Sequence, residues 1–241
     1  MITHLRAAGE ASSLFEHMRR VCVVTPFLAI TLLAGCANMS TLQTARALTK
    51  NTGRFVIGFG YYNSPTIDEE IGKSSGTKTT LSFPYFELGG RFGLLKDLEV
   101  GAKVTLPGFL TVDGKVEVFS SEGLAVAGGL GLSYLGLSAS STSTSTTSFN
   151  AQFIDVLVPG YFSYDFTEWL ALYTSPRYIF RYANASGGSG TAHLAGSSVG
   201  FKIGDKGGVF VEASYLKSLT STPFDQWQAN VALFFGLASN Q

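Results

Sequence analysis

Between residues 53 and 237 the chain repeats one pattern: runs in which apolar side chains alternate one by one with polar or small ones. From Leu98 to Leu106, the residues Leu98, Val100, Ala102, Val104 and Leu106 fall on one face, with Glu99, Gly101, Lys103 and Thr105 on the other. Phe86, Leu88, Phe92 and Leu94 oppose Glu87, Gly89, Arg91 and Gly93, and Val112, Val116 and Val118 oppose Asp113, Lys115 and Glu117. Near the C-terminus Trp227, Ala229, Val231, Leu233 and Phe235 oppose Gln228, Asn230 and Ala232. A period of two belongs to strands, whose side chains point alternately to two faces, and not to helices. The runs predict ten strands, at 53–62, 81–94, 98–106, 111–119, 124–137, 150–164, 168–182, 191–203, 208–218 and 226–237. Eight or twelve strands also fit, because 107–119 makes a weak hairpin and 191–203 is diluted by Gly and Ser.

The connections alternate in length. Leu95–Asp97, Ser120–Gly123, Asp165–Thr167 and Gly204–Gly207 read as tight turns, whereas 63–80, the Ser/Thr-rich 138–148, 183–190 and 219–225 read as longer polar loops. Short turns at one end and long loops at the other are the pattern of an outer-membrane barrel, with turns toward the periplasm. An even strand count puts both ends of the sheet on that turn side.

Composition sharpens the choice of surroundings. Charged residues make up 14% of the chain, against about 25% in an average soluble domain, while the chain holds 28 Gly, 19 Phe and 10 Tyr. After residue 36 no segment reaches the ~18 consecutive apolar residues of a spanning helix, and the other structure that satisfies every backbone group in lipid is a closed sheet. The predicted fold is therefore all-β: an antiparallel up-and-down transmembrane β-barrel of about ten strands. Tyr61, Tyr62, Phe83, Tyr85, Tyr134, Tyr161, Tyr164, Trp169, Tyr173, Tyr182 and Trp227 lie largely near strand ends, where ring side chains favour a membrane interface. Alternation does not by itself tell which face points outward. A soluble, lipocalin-like barrel with its apolar face inside satisfies the same pattern.

The N-terminal region gives an address. Met18-Arg19-Arg20 is followed by an apolar run from Val21 to Leu33, too short to span a bilayer, and then by Leu33-Ala34-Gly35-Cys36. Positive region, apolar region and small-residue cleavage box in that order make a secretory signal, with translation expected to start at Met18. The expected organisation is a signal peptide at 1–35, a lipidated periplasmic tether at 36–52 and a barrel at 53–241. Cys36 would be the only cysteine after cleavage, because Cys22 leaves with the signal.

The box Leu33–Cys36, the Gln43-Thr44-Ala45 segment leading into Gly53-Arg54-Phe55, and phrases such as Asp97-Leu98-Glu99-Val100-Gly101 and Pro176-Arg177-Tyr178 resemble those of bacterial outer-membrane lipoproteins with a small β-barrel. The resemblance implies a diacylglyceryl and an N-acyl (palmitate-type) chain on Cys36, and anchoring at the periplasmic face of the outer membrane. It also implies lipoprotein-processing and barrel-assembly machinery as partners, with outer-membrane lipid as the surroundings. It specifies a scaffold and not a substrate.

The strand faces opposite the apolar ones carry twelve charges of both signs: Glu87, Arg91, Glu99, Lys103, Asp113, Lys115, Glu117, Asp155, Arg177, Arg181, Lys202 and Glu212. In a membrane barrel these line the lumen, either as a selective pore or as a plug of salt bridges, and the narrow lumen of eight to ten strands favours the plug. Catalysis has little to work with: after cleavage His193, with Ser186, Ser189, Ser197 and Ser198 nearby in sequence, is the only histidine. No metal-ligand spacing or nucleotide loop is present, and Gly128-Gly129-Leu130-Gly131 lies inside an alternating strand with no helix after it. The near-neutral chain, with 17 basic and 17 acidic residues, offers no nucleic-acid surface. No cofactor other than the covalent lipid is expected. The expected function is non-enzymatic: a structural barrel or a narrow channel for small solutes. The alternative is a binding module, either a surface-loop adhesin or the tethered lipid-binding barrel.

Overall fold

The computed structural model describes residues 40–65, 80–106, 108–141, 147–185, 188–220 and 225–237; Cys36 lies outside them. Ten strands follow in chain order: β1 (Gly53–Pro65), β2 (Thr80–Gly93), β3 (Leu98–Leu106), β4 (Phe109–Ser120), β5 (Leu124–Ser141), β6 (Thr147–Thr167), β7 (Leu170–Ala185), β8 (Gly188–Gly204), β9 (Gly207–Ser218) and β10 (Asp225–Leu237). Each pairs antiparallel with its sequence neighbours, and β10 returns to β1, with Gly53 opposite Leu237 and Asn63 opposite Trp227. The sheet is a closed barrel without an edge.

Orientation is settled by exposure. Phe59, Leu106, Leu130, Leu132, Phe201 and Val231 stand on the outside, 45–61% exposed, while Glu87, Glu99, Lys115, Asp155, Arg181 and Glu212 face inward at 0–2%. Water would not tolerate this arrangement, but lipid requires it. The soluble barrel with an apolar interior is therefore overturned.

The aromatic side chains divide between the two faces of the wall. Tyr61 and Trp227 stack outside near one end, with ring centroids 5.8 Å apart, and Tyr164 meets Phe166 edge-on at 5.2 Å near the other. Tyr62, Tyr85, Tyr161 and Tyr173, expected at the interface, are instead buried in the lumen. Their parity decides it: Tyr85 is two residues from Glu87, so both point the same way. Glycine on the adjacent strand makes room, since a Cβ at Gly60 would overlap the Tyr85 ring and one at Gly200 the Tyr173 ring.

The loop pattern also departs from expectation. The connections at 94–97, 121–123, 168–169 and 205–206 are short and share an end with Gly53 and Leu237. At the other end, however, β5 and β6 run on to Ser141 and Thr147, and β7 and β8 to Ala185 and Gly188. Ser- and Thr-rich sequence read as loop continues the ladder because Thr suits a pleated strand. β6 reaches 21 residues, whereas about 9–11 cross a bilayer, so this side of the wall rises beyond the membrane. The weak hairpin at β3–β4 is real and tight: Gly108 takes φ 123° and donates its N–H to Thr105 O at 2.6 Å.

Candidate functional site

The lumen is occupied. Residues 40–49, expected to belong to a tether outside the barrel, lie within it, and Ser40, Leu42, Gln43, Thr44 and Ala45 are buried. From Gly53 at the turn end the chain leads back through a turn, in which Thr52 N–H bonds Thr49 O at 3.0 Å and Asn51 N–H bonds Gly93 O at 2.8 Å. It then runs up the lumen to Ser40, level with Glu87 and Lys103. Gly93 permits this passage, because a Cβ there would stand 2.7 Å from Leu48 O and closer still to Thr49 O.

An isolated extended segment has backbone groups without partners, and burying them unbonded costs free energy. Here the lumen charges supply the partners. Glu99 accepts from Leu48 N–H at 2.8 Å and Glu117 from Ala47 N–H at 2.5 Å. Lys115 donates to Thr44 O at 2.7 Å and to Arg46 O at 3.0 Å, and Lys103 to Ser40 O at 2.6 Å. Carboxylates thus hold N–H groups and ammonium groups hold carbonyls, so strand charges replace a sheet partner along the thread.

Glu212 is the deepest anchor. It accepts the N–H groups of Thr41 and Leu42, each at 2.9 Å, and the Thr41 hydroxyl. Leu42 has φ 47°, a left-handed backbone that costs a leucine on the order of 1–3 kcal/mol. That turn lets consecutive N–H groups converge on one carboxylate, as in other backbone anion nests. It also seats the Leu42 side chain among Val56, Tyr173, Phe210, Ala232 and Phe234. Tyr173 OH, Ser214 Oγ and Asn230 Nδ2 donate to Glu212 at 3.0, 3.2 and 3.2 Å, fixing it from the wall.

All twelve charges singled out from the sequence face the lumen, but they divide into groups. Arg91 links Glu99 (2.6 Å) and Asp113 (2.6 and 3.0 Å), and Lys115 stands 3.1 Å from Glu99. Lys103 lies 3.6 Å from Glu87. On the tall side of the wall Arg181 grips Asp155 with two bonds of 2.8 Å, and Arg177 bonds the Ser198 hydroxyl. Lys202 stands over Phe234, 5.8 Å from the ring centre. Arg46, Arg54 and Asp165 belong to the site and were not in the sequence-derived set. Arg46 pairs with Asp165 and bonds Ser120 Oγ at 2.6 Å. Arg54 shares parity with Val56 and Gly58, a signal the sequence did contain.

His193 lies on the outer face, hydrogen-bonded to Tyr178 and 5.3 Å from the Phe180 ring. Ser198 points into the lumen on the opposite face of the same strand, bonding Ser214 at 2.6 Å. The sheet therefore separates this histidine from that serine. Ser197 Oγ is 3.0 Å from Thr174 Oγ1, and Ser186 lies outside the described residues.

Fold and site together define a closed ten-strand barrel, apolar outside, whose lumen holds the segment that precedes its first strand. Among solved structures the chain is similar to the translocator domain of the autotransporter NalP from Neisseria meningitidis: 9% identity, 96% of this chain and 98% of that one, TM-score 0.48. It is similar as well to an outer-membrane channel from Pseudomonas putida F1 (9% identity, 80% and 98%, TM-score 0.43). A third is Ail, the attachment invasion locus protein of Yersinia pestis (15% identity, 78% and 100%, TM-score 0.38). At such identities no activity or partner carries over from them. No family model matches the chain, and no curated protein matches it.

Proposed function

We propose that this protein is a bacterial outer-membrane β-barrel that forms a narrow channel closed at rest by its own residues 40–49. The supporting observation is that one lumen accommodates an extended peptide and holds it almost wholly by polar groups. Withdrawing the segment would open the part of the lumen it occupies, lined by the charges that now hold it and by the apolar seats of Leu42 and Ala45; beyond Ser40, on the tall side, Phe109, Leu135, Phe153, Ile179, Leu194 and Leu216 also face inward. No catalytic role is assigned to any residue in this reading. The secretory-signal pattern at 18–36 and the apolar exterior of the barrel support the outer membrane as location, reached through the barrel-assembly machinery.

The test is conductance in planar bilayers. Full-length protein should be largely silent, and a variant lacking residues 40–49, shown to be folded by its heat-dependent gel mobility, should conduct steadily. A folded deletion variant that stays silent would mean a purely structural barrel.

Acylation of Cys36 belongs to the same proposal and rests on the Leu33–Cys36 box. Intact-mass measurement of protein purified from membranes should give a chain that begins at Cys36 and carries acyl groups; an unmodified N-terminus would remove the lipid from the picture.

A further inference from the structure

Two lumen cations stand apart from the others. Arg46, Arg91, Lys103, Lys115, Arg177 and Arg181 each have a hydrogen-bond partner. Arg54 and Lys202 have neither a hydrogen bond nor an ion pair among the described residues; their contacts are with aromatic faces. Arg54 Cζ lies 5.5 Å from the centre of the Phe234 ring and 5.9 Å from that of Phe210, and Lys202 Nζ lies 5.8 Å from Phe234. Two like charges are thus gathered about one ring. Cation–π contact contributes about 0.5–2 kcal/mol, but it leaves the donors of a guanidinium and an ammonium unfilled, five on the former and three on the latter.

Both side chains face a vestibule of about 700 Å³ at the turn end of the barrel, between residues 44–54 and the ends of β8 and β10. That volume falls within the roughly 300–1,000 Å³ of small-molecule sites. No carboxylate among the described residues is ion-paired to either cation, although Asp165 and Asp205 act through space on Lys202 and Glu99 on Arg54. Asp165 is held by Arg46, and Glu122, Glu168 and Asp205 stand exposed on the turns at the rim. The inner end is therefore cationic, open to solvent, partly desolvated and floored by aromatic rings.

We propose that Arg54 and Lys202 form a binding site for a phosphate-type oxyanion at the turn-side mouth. An arginine fork takes two oxygens of a phosphate, and a lysine adds a third, mobile donor. The vestibule admits either a small phosphorylated solute or the phosphate of a lipid headgroup whose acyl chains remain outside the mouth. Neither cation bonds residues 40–49, although Thr44 and residues 46–49 line the vestibule and Leu42 packs on the same Phe210 and Phe234 rings.

Calorimetric titration of the full chain in phosphate-free maltoside detergent, with inorganic phosphate and then glycerol 3-phosphate, tests the site against the R54Q/K202Q double variant. Saturable binding that weakens about tenfold or more in the variant is the expected result. The lipid arm uses nanodiscs of phosphatidylethanolamine with and without phosphatidylglycerol, scoring 31P signals that broaden in the wild type and not in the variant. Binding in the first arm identifies a free solute; binding in the second alone identifies a headgroup. Equal binding by wild type and a folded variant, or none in either arm, overturns the proposal. Channel closure is read by conductance without phosphate, and phosphate binding by calorimetry on the full chain with the segment in place, so the two readings fail separately.

Discussion

Replacing Glu212 with alanine is expected to turn a silent barrel into one that opens repeatedly. The change removes the acceptor of two backbone N–H groups and one hydroxyl, all from Thr41 and Leu42. A hydrogen bond to a charged group is worth about 1.5–3 kcal/mol. With water replacing part of this, docking should weaken by about 3 kcal/mol, which is roughly two powers of ten in the docked-to-free ratio. The left-handed backbone at Leu42 then has nothing to compensate it. The barrel wall should survive, because the backbone ladders of β9 with β8 and β10 do not depend on the carboxylate. Single-channel recording is the measurement, with Glu212→Gln expected to open less often because it keeps an acceptor oxygen of the same shape. A folded Glu212→Ala protein with the closed time of the wild type would show that the segment is held by its other contacts.

The largest loss of stability is expected on the opposite, taller side of the wall. Arg181 and Asp155 are 0% and 2% exposed and joined by two parallel bonds, with the guanidinium 5.6 Å from the Phe153 ring. Arg181→Ala leaves a carboxylate buried without its cation, at a cost of about 3–5 kcal/mol. The temperature at which folded protein loses its compact gel mobility should fall markedly. Replacing both residues with leucine should recover most of the loss, since no charge is then stranded. If the double variant were as unstable as the single one, lost packing rather than lost pairing would be the cause. Conductance should stay silent in both, because neither residue touches residues 40–49.

Strand positions and facing were legible because period two is a local property: Leu98 to Leu106 needs no distant partner to announce two faces. Closure was legible too, from an even count and the absence of any other way to satisfy backbone groups in lipid. The lumen segment was not. Thr41 and Glu212 are 171 positions apart, and an extended stretch of small polar residues looks the same whether it is solvated or enclosed. The inward tyrosines follow parity and not proximity to a strand end: Tyr85 points the same way as Glu87. Arg54 was legible by its parity with Val56 and Gly58, opposite the outward Phe55, Ile57 and Phe59, but neither of those inward neighbours is polar enough to advertise a charged face.

A ring closed by β1 against β10 has no side door. Residues 40–49 are made before any strand, so they are inside when the seam zips or they are drawn in later through a mouth, end first. Their partners sit on β2, β3, β4, β6 and β9, staves drawn from both halves of the chain. Present early, the segment would be a mandrel on which those staves are gathered; drawn in late, it would be a bolt slid into a finished ring.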